Sequence, residues 1–99
     1  MHAVGSRALR PRLYFYLRQA RRGDEIVILV HGQPAAMLRA VRPTDAGPFV
    51  PMLYVREELH TAIAMARTHP LVVTRYSQVL AVLDRPPEGL ESELWEVAS

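Results

Sequence analysis

Ile26-Val-Ile-Leu-Val-His-Gly-Gln-Pro-Ala-Ala-Met-Leu38 returns 45 residues later as Leu71-Val-Val-Thr-Arg-Tyr-Ser-Gln-Val-Leu-Ala-Val-Leu83. Val27/Val72, Gln33/Gln78, Ala36/Ala81 and Leu38/Leu83 are identical, and most other pairs exchange one apolar residue for another. Each copy is an apolar run, a short turn-prone break and a second apolar run, the pattern of a β-hairpin. Each copy also follows a stretch with helical spacing. An internal repeat constrains architecture before any single residue does, so the expectation is one helix-plus-hairpin unit used twice.

Working outward from the first copy, Leu9, Leu13, Leu17 and Ala20, with Tyr16, recur at three to four residues and predict an amphipathic helix. Ser6 is the expected N-cap and Gly23 the terminator. Pro11 conflicts with a continuous helix, because it lacks a backbone donor and crowds the preceding turn. Either the helix begins at Pro11, or a short first turn kinks there. His2–Gly5 suits a brief edge strand. His31-Gly32 is a plausible two-residue turn, and Pro34 implies that the returning strand starts after it or lies at an edge. That strand is expected to reach about Val41.

The stretch Arg42-Pro-Thr-Asp-Ala-Gly-Pro48, with Pro51 just beyond, predicts a linker. Beyond it, Met52–Val55 reads as a strand. Glu57, Glu58, Leu59, Ile63 and Ala66 read as a shorter helix with acids in its first turn. Pairing the helices at an offset of 46 matches Arg10 with Arg56, Leu13 with Leu59 and Leu17 with Ile63. An offset of 50 instead matches Arg10 with His60. The first needs less rearrangement. Leu90, Leu94 and Val97, with Trp95, suggest a short acidic amphipathic tail helix. The resulting division is 1–43 (unit 1), 44–51 (linker), 52–85 (unit 2) and 86–99 (tail).

The chain has 99 residues, 49% of them hydrophobic and 22% charged, which is ordinary globular material. No apolar run approaches the roughly 20 residues of a membrane span, no signal peptide is apparent, and cysteine is absent. A cytoplasmic protein is the expectation. The net charge of +2 conceals an asymmetry. Residues 1–50 hold eight Arg against three acids, and residues 51–99 hold four Arg against seven acids. Arg7, Arg10, Arg12, Arg18, Arg21 and Arg22 fall within sixteen residues, a candidate polyanion-facing cluster. The last three also fit a solvated helix face.

His2, His31, His60 and His69 lack metal-ligand spacing, and no phosphate-cradling glycine loop or nucleophile elbow occurs. Neither an enzyme activity nor a cofactor or metal is expected.

Ser6-Arg-Ala-Leu-Arg10, then Leu13, Leu17, Gly23, the run Ile26–Val30 and His-Gly-Gln-Pro-Ala-Ala-Met-Leu resemble the N-terminal module of the Phd/YefM antitoxin family. That pattern is a Ser/Thr-led helix containing Leu-Arg, a glycine, a valine-rich strand and a Thr-Arg-x-Gly-x-Pro-x-Ala hairpin. Residues 4–41 cover the module, and residues 52–83 look like a diverged second copy. The resemblance implies an α+β fold in which the two units pair as a single-chain pseudo-dimer, with a shared antiparallel sheet and helices packed on it.

It also implies a DNA-binding transcriptional regulator, a repressor of a toxin–antitoxin system, whose partners are operator DNA and a cognate toxin. The DNA-binding residues carried over are Arg10 of the Leu-Arg motif and Arg75 of the second copy's Thr-Arg. Arg56 stands where the second helix arginine belongs, and Arg7 and Arg12 are neighbouring phosphate contacts. Val30 holds the Thr-Arg position in the first copy and cannot make that contact. Unequal arginines suit an asymmetric site, or require two chains to cover a palindrome. Leu90, Leu94 and Trp95 are the candidate toxin-binding residues, though the same helix could fold back onto the protein's own core. The competing expectation is a protein-binding antitoxin or adaptor that has lost DNA binding.

Overall fold

In the computed structural model, which describes residues 1–90, the two repeats form two hairpins. The first joins β2 (Ile26–Val30) to β3 (Gln33–Arg39), and the second joins β5 (Leu71–Arg75) to β6 (Gln78–Asp84). Their turns place both central residues at positive φ, 53° and 77° at His31 and Gly32, 52° and 64° at Tyr76 and Ser77. That geometry matches the right-handed twist of the flanking strands. Each hairpin also carries a register shift at the equivalent place, between Ile28 and Leu29 and between Val73 and Thr74.

Two short strands, β1 (His2–Gly5) and β4 (Phe49–Pro51), lie parallel to β2 and β5 and complete a six-stranded sheet of order β1-β2-β3-β6-β5-β4. The fold is therefore α+β, but the sheet is mixed rather than antiparallel. Its edges are parallel because each edge strand reaches its neighbour through a helical crossover. The order reads the same when the first three strands are exchanged with the last three. The central pairing sets Leu38 opposite Leu83, Met37 opposite Asp84 and Arg39 opposite Val82. Leu38 and Leu83 are the same position in the two copies, so the sheet's centre falls on that pair.

The helices follow an equally repeated plan. Helix α1 (Ser6–Leu9) passes into a 3-10 turn (Arg10–Arg12) and then α2 (Leu13–Arg21), while α3 (Met52–Glu57) precedes α4 (Leu59–Thr68). The breaks fall at Arg12 (φ −118°, ψ 25°) and Glu58 (φ −118°, ψ 48°), which are 46 residues apart. Buried Leu9, Leu13, Leu17 and Ala20 correspond at that offset to buried Val55, Leu59, Ile63 and Ala66. Arg10 thus pairs with Arg56, not His60. Pro11 occupies the kink rather than a helix start, where the 3-10 turn spares it an interior helical hydrogen bond.

Several local expectations change. Ser6 is the first helical residue, Gly5 is the N-cap, and no side chain caps the helix. Met52–Val55 is helical, and the strand expected there lies at Phe49–Pro51, inside the presumed linker. Glu57 and Glu58 sit at the α3–α4 break, not in a first turn. β3 begins at Gln33 and includes Pro34, because β6 pairs only with Met37–Arg39 and leaves Pro34 without a neighbour on that side. The strand ends at Arg39.

Alternation along the strands divides the sheet into two faces. Ile26, Leu38, Leu83 and Leu71 are successive register partners across the four central strands, and all four are essentially fully buried. With Val4, Ile28, Ala36, Val73 and Ala81 they form one apolar cluster with the buried helix residues. On the opposite face Ala3, Val27 and Leu29 form a smaller cluster against which Leu90 packs. Among the described residues, no helix is long and apolar enough to cross a membrane.

Candidate nucleic-acid interface

The second hairpin's end gathers the most specific chemistry. β5 terminates at Arg75, beside the Tyr76-Ser77 turn. The Arg75 guanidinium carbon lies 4.2 Å from the ring centroid of Tyr14, which comes from α2 of the other repeat, and 4.9 Å from that of Tyr76. Arg18 sits on the same Tyr14 at 5.7 Å. Such cation–π contacts hold a guanidinium at a defined place without neutralising it. Arg56 joins Arg75 in lining a groove of about 380 Å³ with Leu53, Thr74 and Tyr76. Its Nε is buried and has no hydrogen-bond partner among the described residues.

The first hairpin's end has an equivalent groove of about 330 Å³, lined by Ser6, Arg7, Val30, His31 and His60. Arg7 and Arg10 also line an adjoining recess with Leu59 and His60. By the repeat, Val30 stands for Arg75, His31 for Tyr76, His60 for Tyr14 and Arg7 for Leu53. Each groove is thus built from one repeat's helix start and hairpin; the first also takes His60 from the other repeat's second helix, while Tyr14 reaches the second only through its contact with Arg75.

Of the expected DNA-binding arginines, Arg56 and Arg75 are brought together at one end, and Arg7 and Arg10 at the other. Arg12 lines neither groove and lies over the Phe15 ring at 4.8 Å. Arg7, Arg10 and Arg12 are exposed, and Arg56 and Arg75 are half-buried. Arg18, Arg21 and Arg22 are exposed on α2 and at its C-terminus. The two hairpin tips point in opposite directions from the Leu38–Leu83 pair. Five residues of strand on each side at about 3.3 Å per residue put the tips roughly 33 Å apart. The molecule's longest dimension is 36 Å.

The expected toxin-binding residues divide differently. Leu90 is half-buried against Ala3, Val27 and Leu29 on the sheet face away from the helices. Leu94 and Trp95 lie outside the described residues.

Sequence reasoning missed one site altogether. Arg39, on the same outer face and 4% exposed, donates from Nε to Asp84 Oδ2 at 2.9 Å. Its Nη1 and Nη2 form a bidentate pair with Asp45, both at 2.9 Å, and Nη1 also donates to the Ala40 carbonyl at 3.0 Å. The guanidinium fork, together with the Arg42 backbone N–H at 2.7 Å, holds the Asp45 carboxyl at about 2, well below its ordinary 3.8. Arg39 itself is pushed up by the same partners. Arg39 and Asp84 occupy the same position in the two copies, so opposite charges at equivalent sites were a usable signal. Among the described residues, these are the ion pairs present; no carboxylate pairs with the arginines of either groove.

Comparison with family models, curated proteins and solved structures returns no match.

Proposed function

We propose that this chain is a DNA-binding regulator of the Phd/YefM antitoxin type, in which two tandem units pair as a single-chain pseudo-dimer. The observation that carries the reading is the placement of the arginines. Two grooves without acidic partners lie at opposite ends of one sheet, related through the Leu38–Leu83 pair. The hairpin tips beside them stand roughly 33 Å apart, which approximates one turn of B-DNA, the spacing at which dimeric regulators address successive major-groove half-sites. Both ends lie on the helix-bearing side, so one duplex can meet both. Arginines at such sites neutralise phosphates and can read guanine edges bidentately.

Toxin neutralisation through the C-terminal segment belongs to the same reading, and it rests on the family resemblance alone. The second reading is a protein-binding antitoxin or adaptor. Val30 in place of the first Thr-Arg arginine favours it, since one groove has lost the residue that would contact DNA.

Titrating the full chain with a 30-base-pair mixed-sequence duplex at low salt separates the two. The regulator binds, and it loses affinity steeply as salt rises because contacted phosphates release counterions. Absence of binding at about 50 mM salt, where sequence-independent attraction is strong, leaves the adaptor reading.

A further inference from the structure

The two ends differ in how far their arginines are arranged before any ligand arrives. Arg75 is already stacked between Tyr14 and Tyr76, and Arg18 shares the Tyr14 ring. Arg56 presents a buried charged donor with no acceptor, an arrangement that is costly until an anionic oxygen fills it. At the first end, Arg7 and Arg10 are exposed, and neither stacks on a ring. Val30 and His60 replace the stacked arginine and its aromatic platform. Ordering two exposed arginines on binding costs side-chain entropy that stacked Arg75 and half-buried Arg56 have in part lost already. The opposing influence is Glu57 and Glu58, exposed beside Arg56 where the first copy has Pro11 and Arg12. These acids weaken long-range attraction but occupy no part of the groove lining.

We propose that the groove of Arg56 and Arg75, with Tyr14 as the platform behind Arg75, is the primary DNA-backbone site, and that the Arg7–Arg10 end is a weaker secondary one. The protein therefore engages duplex DNA in a preferred orientation. This rests on the DNA-binding reading above and goes further by ranking its two ends.

The test compares two double variants of the full chain on the same 30-base-pair duplex at low salt. Arg56→Gln with Arg75→Gln and Arg7→Gln with Arg10→Gln each remove two charges, so long-range effects cancel in the comparison. The first is expected to weaken binding at least about tenfold and the second by no more than about threefold, beyond the shared loss of phosphate contacts. Tyr14→Leu removes the platform while keeping every charge, and it is expected to weaken binding several-fold at unchanged salt slope. That variant keeps the proposal exposed if the first double variant fails to fold, which circular dichroism reports. Equal weakening by the two double variants, the reverse order, or an unaffected Tyr14→Leu overturns the ranking and leaves DNA binding standing. A wild-type chain that binds no duplex overturns both.

Discussion

Arg39 shows how one charged residue can be buried in an apolar strand. Four of its donor contacts end on Asp45, Asp84 and the Ala40 carbonyl, so the desolvation of the cation is offset by charge-assisted hydrogen bonds. Removing one partner leaves the cation under-compensated. Asp45→Ala is expected to cost about 3 kcal/mol of unfolding free energy, read as a lowered urea midpoint at unchanged slope.

The same site sets a pH dependence. Asp45 titrates at about 2 when folded, against 3.8 ordinarily. Its contribution is therefore complete above the unfolded value, and it disappears as pH falls from about 4 toward 2. Wild type should lose about 2 kcal/mol more across that window than Asp45→Asn does; equal losses would remove Asp45 as the cause. Arg39 also faces its own counterpart position. Two copies of the first unit would set Arg39 against a second arginine there, whereas this chain sets it against Asp84.

At the scale of elements, the hairpin turns test whether local backbone geometry decides pairing. Gly32 has φ +77°, and a Cβ there would meet nothing within 4 Å. Any penalty on substitution is then purely conformational. Gly32→Ala is expected to destabilise by about 1 kcal/mol, lowering Tm by roughly 4–8 °C for a domain of this size. Ser77, at φ 64° in the second turn, should move the other way, and Ser77→Gly should raise Tm slightly. The helix breaks are a second shared device. A proline precedes one break, and the other falls at Glu58 with no proline near it, so the break recurs where no shared residue imposes it. Only the first break was legible, because proline announces itself and glutamate does not.

For the whole molecule, the proposed pairing of halves within one chain predicts a monomer of about 11 kDa in solution, as measured by light scattering; a stable tetramer would contradict it. The sheet buries its central row, Ile26, Leu38, Leu83 and Leu71, without a second chain. DNA binding by both ends predicts a log–log salt slope near −0.9 per phosphate contacted, reduced by about 2 when two contacting arginines are replaced.

The sequence by itself determined the two hairpins, their turns and the apolar stripe of the first helix. Those features arise from strict periodicity and, at His31-Gly32, from residues tolerant of positive φ, which act over a few neighbours; the Tyr76-Ser77 turn was legible only through the repeat. It also located the arginines, but not their grouping. Only the tertiary structure decided that Arg56 and Arg75 share a groove, that Tyr14 crosses from the other repeat to hold Arg75, and that Arg39 closes on Asp45 and Asp84. The Tyr14–Arg75 and Arg39–Asp84 contacts join the two repeats through the central β3–β6 pairing, whose register rests on burying one apolar face and not on any local preference. Of the edge strands, β1 was legible at His2–Gly5, but its parallel pairing was not, and β4 lies at Phe49–Pro51 rather than at Met52–Val55. Three residues carry too little pattern to fix a strand's place until a neighbour supplies the hydrogen bonds.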